Sequence, residues 1–183
     1  EKGRKIILFD FGMNSWHRDQ VRGWNDVALV TTEEFSRISH PEWRMRIDAI
    51  LYGVHSASSA LWVEPGMILR GRLAKIDLQI EREGHFFVPM INGTVGSEES
   101  HCLGFADDAG SMTKILSSIQ GYRDRTDAYE RILLPLAQAG EQCEKQTISS
   151  DSLLGIMVNI SGLPTKTHHH LVCQTKSEQC DAA

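Results

Sequence analysis

The sequence predicts a single α+β domain with a mostly antiparallel sheet packed against helices. Three observations lead to this prediction: the chain has 183 residues, 41% of them are hydrophobic, and short apolar runs typical of strands alternate with segments of helical periodicity. We assign residues 1–176 to this domain and expect residues 177–183 to form a flexible tail.

Two apolar runs near the N-terminus predict the first strands. The run at residues 5–9 is followed by Asp10 and Gly12, which predicts a buried strand with an aspartate at its end. Residues 26–30 predict a second short strand. The first strand is therefore expected to deliver a carboxylate to one edge of the sheet.

Capping signals predict helices after the second strand. Thr31 and Glu34 have the spacing of a capping box, so a helix is expected to begin there and to end before Pro41. Pro41 can open a further helix. The apolar face of that helix is expected to carry Trp43, Ile47, Ile50, Leu51 and Val54.

Residues 60–92 predict a meander of three or four strands. Ile76, Leu78 and Ile80 alternate with polar residues, and a Glu-Gly turn separates them from the apolar run at 85–91. Pro89 cannot donate to a strand ladder, so its run is expected at an edge of the sheet.

The second half of the chain predicts helices followed by a strand. Apolar residues at helical spacing predict a helical stretch over 112–137, with a second start at Asp127 and Glu130. The run at 153–160 is apolar almost throughout and predicts a strand.

Composition limits the function classes. With 19 basic and 24 acidic residues the net charge is -5, so the chain lacks the basic coat of many nucleic-acid-binding proteins. No apolar run approaches the ~20 residues of a membrane-spanning helix, so we expect no membrane partner. The four cysteines indicate reduced thiols and a cytoplasmic location. The sequons at Asn92 and Asn159 leave open a small secreted glycoprotein domain.

The strongest chemical signal is a pair of adjacent carboxylates, Asp107 and Asp108, after an apolar run. Adjacent acids repel each other, which is tolerated on a solvated loop or offset by a cation. Asp10, at the end of a separate strand, can supply a third carboxylate. Three such groups are the hard oxygen ligands that Mg²⁺ prefers, and Mn²⁺ is the alternative cofactor.

These segments resemble the palm domain of reverse transcriptases. Phe9-Asp10-Phe11 is similar to the first catalytic motif of that family, and Phe105-Ala-Asp107-Asp108 is similar to its paired-aspartate hairpin. The resemblance implies that Asp10, Asp107 and Asp108 hold the metal ions and that Lys145 lies near a triphosphate. It further implies phosphoryl or nucleotidyl transfer on a nucleotide or nucleic acid.

Other functions fit the same residues. Asp10, Glu64 and Asp107 resemble the acidic set of ribonuclease-H-like nucleases, so Glu64 and Asp108 discriminate between the two metal-dependent hypotheses. The main alternative of a different class is a non-enzymatic module that binds a protein partner through an exposed face or edge of the meander at 60–92. Asp10 itself has two possible roles, because it can be a metal ligand or a structural cap of nearby backbone N–H groups.

Overall fold

In a computed structural model of the chain, residues 4–31, 34, 42–69, 72–96, 112–143, 149–165 and 172–174 are described, with the backbone alone at 42, 91–92, 139–143 and 172–174. The elements in chain order are β1 (Ile6–Asp10), α1 (Ser15–Arg22), β2 (Val27–Thr31), α2 (Glu42–Ala57), β3 (Ser59–Val63), β4 (Met67–Leu69), α3 (Leu73–Glu83), β5 (His85–Thr94), β6 (Thr113–Arg123), α4 (Leu134–Cys143), α5 (Ser150–Ser161) and β7 (Val172–Gln174). A π-helical turn, Tyr129–Leu133, leads directly into α4.

Strands β1 and β2 form a parallel pair, registered along the full length of both strands. Parallel neighbours need a crossover connection, and α1 supplies it. This helix begins after Asn14, whose side-chain oxygen accepts a hydrogen bond from the His17 amide at 2.9 Å. Both predicted N-terminal strands are confirmed, and the end of β1 leads directly into the loop before α1.

A second sheet has the strand order β3-β6-β5, and all of its pairs are antiparallel. Strand β5 lies at an edge of this sheet, as Pro89 predicts, and the strand pairing shifts register on both sides of that proline. Strand β6 lies in the centre, and its side chains from Ile115 to Tyr122 are buried on both faces. A further antiparallel pair joins β4 to β7.

Helices cover both faces of the three-stranded sheet. On one face α2, the π-helical turn, α4 and α5 supply the larger core. On the other face α3 packs the buried Ile76 and Ile80 and the partly buried Leu73 in a core shared with β5 and β6. Gly155 lets α5 approach the sheet closely, because a Cβ atom at this position would lie 2.6 Å from the Thr113 carbonyl oxygen. The described elements thus form a single α+β domain with mostly antiparallel pairing, as predicted.

The predicted meander at 60–92 is wrong in its middle part. Residues 73–83 form α3, in which Ile76 and Ile80 lie one turn apart on the buried face while Leu78 is 44% exposed. Gly84 ends the helix in the left-handed conformation, with φ +79°, where a side chain is disfavoured. The strands on either side, β3 and β5, are confirmed. The described part of this region therefore does not form a continuous meander.

Two secondary-structure predictions in the second half of the chain are wrong, because the predicted helix is a strand and the predicted strand is a helix. Residues 113–123 form the strand β6 where a helix was expected, and 150–161 form the helix α5 where a strand was expected. The Ser149 hydroxyl caps α5 by accepting the Ser152 amide at 3.1 Å. A helical segment does begin at 127, as predicted, and α2 forms where its apolar spacing places it.

Several predictions fall outside the described residues or are tested only in part. The tail at 177–183 and Cys102 and Cys180 lie outside, and at Cys143 and Cys173 the backbone alone is described. One of the two hydrogen bonds of the predicted capping box is described: the Glu34 carboxylate accepts a hydrogen bond from the Thr31 amide at 2.6 Å. None of the helices in the described ranges is long and apolar enough to cross a membrane.

Candidate functional site

Asp10 lies at the last position of β1, where the chain leaves the sheet for the loop before α1. Its carboxylate has no exposed surface. An ionised group in such a position requires partners that replace water. The loop that follows supplies them.

Each oxygen of the Asp10 carboxylate has its own partners. Oδ1 accepts two backbone N–H groups, from Gly12 at 2.8 Å and from Met13 at 2.5 Å. Oδ2 accepts a hydrogen bond from Nε of Arg18, which lies on α1 and forms an ion pair with it. The loop can return its N–H groups to the strand end because Gly12 has φ +126°, a conformation that favours glycine.

These contacts keep the carboxyl group ionised. Burial raises the pKa of Asp10, but the hydrogen bonds from Met13, Gly12 and Arg18 together with the Arg18 charge outweigh burial, and the net pKa lies below its ordinary value of 3.8. The Asp10 carboxylate thus caps backbone N–H groups in the turn between β1 and α1.

The other predicted site residues, Asp107, Asp108 and Lys145, lie outside the described residues. Their convergence with Asp10 stays a prediction. Within the described ranges, no group of three or more His, Cys, Asp or Glu side chains is placed to hold a metal ion. A metal site at Asp10 would accordingly need ligands from outside the described residues.

Glu64 directly follows β3, and its carboxylate forms an ion pair with Arg46 of α2. The Arg46 side chain is only 9% exposed, whereas that of Glu64 is 27% exposed. Breaking a buried ion pair leaves a charge without a partner, which is strongly unfavourable. The discriminating acid of the ribonuclease-H-like hypothesis therefore already has a cationic partner within the fold.

Arg46 belongs to a buried polar cluster that joins α2, β3, β6 and α5. Its Nη1 donates to Oγ of Ser117 at 2.6 Å and to Oγ of Ser150 at 3.0 Å. The Asp151 carboxylate accepts both the amide and the hydroxyl of Ser117, at 2.7 and 2.6 Å. This cluster, Arg46-Glu64-Ser117-Ser150-Asp151, fixes the start of α5 against the centre of the sheet.

Aromatic side chains connect β1 to the three-stranded sheet. The ring of Trp62 on β3 lies 6.1 Å from the rings of both Phe9 and Phe11. No hydrogen-bond partner is found for its buried indole N–H among the described residues. Trp62 and Trp43 pack against the larger core, and Trp43 does so as its apolar spacing predicts. The end of β1 therefore lies beside β3.

The sequon at Asn159 lies near the C-terminal end of α5. The Asn159 side-chain amide donates to the Gly155 carbonyl at 2.7 Å and to the Thr113 carbonyl at 3.2 Å. A glycan attached to this nitrogen would have to be accommodated beside both contacts. The side chain of Asn92 is not among those described, so the secreted alternative stays a prediction at that position.

We expect Asp10→Asn to lower the free energy of unfolding by about 0.5 to 2 kcal/mol near neutral pH, because it removes the charge opposite Arg18 while keeping an acceptor for the loop. The folded-state pKa of Asp10 is lowered, so its contribution is present above the ordinary value of 3.8 and is lost as the pH falls through the folded value. Denaturant titrations of both proteins at pH 6 and near pH 3 check this. A difference between the two proteins that grows on acidification would contradict it.

Comparisons of the chain with protein-family models, with curated proteins and with solved structures gave no match.

Proposed function

We propose that this domain catalyses metal-dependent phosphoryl or nucleotidyl transfer on a nucleotide or nucleic acid substrate. In this proposal Asp10, Asp107 and Asp108 hold Mg²⁺ or Mn²⁺, and Lys145 contacts the phosphates. The observation that carries it is a buried, ionised carboxylate at the carboxyl end of β1, in a parallel strand-helix-strand unit. Ligands of open α/β sheets bind at such strand ends.

The chemistry of the donor set supports a hard divalent ion. Asp10 supplies an anionic oxygen whose pKa is already lowered, so no proton has to leave it at neutral pH. Mg²⁺ takes one or two carboxylates together with substrate phosphates. When bound, the ions would activate a hydroxyl group and stabilise the leaving oxygen. The protein's own contribution is to hold Asp10 at a fixed position through Gly12 and Met13.

The ion pair between Glu64 and Arg46 favours the palm-like arrangement over the ribonuclease-H-like one. This carboxylate is paired with Arg46, whose side chain is almost fully buried and cannot turn to solvent without breaking the cluster around Ser117. Asp108 is therefore the better third ligand. Glu64→Gln is expected to leave metal binding intact, whereas Asp108→Asn is expected to weaken it.

Thermal unfolding with Mn²⁺ and with a chelator tests the proposal. A ligand that binds only the folded state stabilises it by mass action, by about 2.7 kcal/mol at a concentration 100 times Kd. We expect Mn²⁺ to raise the melting temperature of the parent protein and of Asp19→Asn, a control on an exposed aspartate of α1. Asp107→Asn should lose the shift.

An assay of turnover on nucleoside triphosphates and on short nucleic acids, run on the same variants with Mn²⁺ and with the chelator, complements the thermal unfolding. Equal melting shifts in the parent and Asp107→Asn would contradict the proposed site. Loss of the shift in Glu64→Gln with retention in Asp108→Asn would favour the ribonuclease-H-like arrangement instead.

A further inference from the structure

His85 is buried at the start of β5, and both of its ring nitrogens face backbone carbonyl oxygens. The residue is only 2% exposed. Nδ1 lies 2.9 Å from the Glu83 carbonyl oxygen, and Nε2 lies 3.0 Å from the Pro164 carbonyl oxygen. A carbonyl oxygen only accepts hydrogen bonds, so each contact requires the imidazole ring to donate.

The neutral ring of His85 has one hydrogen too few for these two contacts. A neutral imidazole carries a single N–H group, so its other nitrogen would direct a lone pair at a carbonyl oxygen. The protonated ring donates from both nitrogens. Because a buried polar atom without a partner is costly, the two contacts are satisfied together only when the ring is protonated.

Two neighbours of the ring favour a positive charge there. The carbonyl group that faces Nδ1 belongs to Glu83, the last residue of α3, and cations are stabilised at the C-terminal end of a helix. The ring also stacks on Phe87, with the ring centroids 5.0 Å apart and an angle of 24° between the planes. A cation this close to the face of an aromatic ring is attracted to it.

Within the described part of the chain, no acidic side chain forms an ion pair with His85. The charged or titratable side chains on the elements beside the ring are Arg82 and Glu83 of α3, Tyr122 and Arg123 of β6, and Asp124 and Arg125 of the turn after β6. Asp124 and Arg125 pair with each other. Burial raises the pKa of Tyr122, so its hydroxyl group stays neutral. Residues 162–165 carry no ionisable side chain.

The contact with Pro164 connects distant parts of the chain. Pro164 follows α5 and lies 79 positions from His85 in the sequence. Three residues of its segment, 162–165, line a cavity of about 200 Å³ together with Pro89 of β5 and Asn159 of α5. His85 therefore holds one wall of this cavity against the edge strand.

The two carbonyl contacts differ in what else keeps them together. Only Gly84 separates His85 from Glu83, so that carbonyl group stays near the ring in either protonation state. We propose that His85 is a pH-dependent clamp, which holds segment 162–165 on β5 when its ring is protonated and releases the Pro164 carbonyl group when the ring is neutral. Release frees one wall of the cavity. This inference is independent of the metal site proposed above.

Denaturant unfolding of the parent and of His85→Gln between about pH 5.5 and pH 8.5 tests the clamp. The folded state offers the added proton two acceptors that the unfolded chain lacks, so the clamp stabilises the fold at low pH and its contribution is lost as the pH rises. We expect the denaturant midpoint of the parent to fall relative to that of His85→Gln over this range. The matched control is His17→Gln on the exposed face of α1, which should follow the parent.

Nuclear magnetic resonance of the parent alone keeps the test decisive if His85→Gln does not fold. We expect both ring nitrogens of His85 to carry a proton at the acidic end of the range, and the amide signals of Leu163 and Thr165 to shift with the same midpoint as the ring. A single protonated nitrogen throughout the range overturns the proposal. Amide signals of Leu163 and Thr165 that do not change with pH, or midpoints of the parent and His85→Gln that run parallel, also overturn it.

Discussion

Arg46→Met is expected to lower the free energy of unfolding by about 3 to 5 kcal/mol, because it leaves the Glu64 carboxylate at the edge of the core without its cation. It also removes the donor shared by Ser117 and Ser150. The partial exposure of Glu64 places the expected loss at the lower end of this range. Denaturant unfolding at neutral pH measures it.

Arg44→Met is the matched control, because Arg44 lies on the same helix and pairs with Asp48 one turn away. That pair lies within one helix, whereas Arg46 also donates to Ser117 and Ser150 of two other elements, so a smaller loss is expected than for Arg46→Met. Combining Arg46→Met with Glu64→Gln should recover part of the lost stability, since the unpaired charge is removed. Equal losses in Arg46→Met and Arg44→Met would show that the buried cluster does not stabilise the fold.

Phe87→Ala is expected to cost about 3 to 5 kcal/mol, since it empties a fully packed position on the larger core. The ring stacks on His85 at 5.0 Å and meets Tyr122 edge-on at 5.4 Å, so two aromatic contacts are lost with it. Thermal or denaturant unfolding checks the loss.

Phe11→Ala is the control for the same substitution at a surface position. Phe11 is 40% exposed and contacts Trp62 with its ring, so a much smaller loss is expected. A loss at Phe87 no larger than the loss at Phe11 would mean that β5 is not packed as described.

Secondary structure was predictable from the sequence in short segments whose apolar pattern fits only one type of element. The run that ends at Asp10 and the face of α2 carrying Ile47, Ile50 and Val54 each match one periodicity only. Pro89 likewise has few places in a sheet. In these segments the local pattern and the tertiary structure agree.

Segments whose apolar pattern fits both a helix and a strand could not be assigned from the sequence. Ile76 and Ile80 are four residues apart, a spacing shared by alternate positions of a strand and by one face of a helix, and the exposure of Leu78 distinguishes the two only in the structure. In β6 both faces are buried, so alternation is absent. In α5 nearly all side chains of the first two turns are buried, and Ser149 as the N-cap was the available signal.

The sequence predicted the position of Asp10 but not its partners. Arg18 follows Asp10 by eight positions, and the loop that contains Gly12 and the first turn of α1 lie between them. The burial of Arg46 could have been predicted from the sequence. A charged residue on the same helical face as Trp43, Ile47 and Ile50 is expected to be buried and paired. Its partners come from three other elements, and no local pattern identifies them.

The most direct test of the proposed metal site is the nuclear magnetic resonance signal of the Gly12 and Met13 amides during a Mn²⁺ titration. Both amides donate to the carboxylate that is proposed to hold the ion, so a paramagnetic ion bound there must broaden them. We predict that both signals broaden during the titration and that Asp107→Asn abolishes the effect. Unchanged Gly12 and Met13 signals at high Mn²⁺ concentration, or equal broadening in Asp107→Asn, would contradict a metal site shared by Asp10 and the aspartate pair.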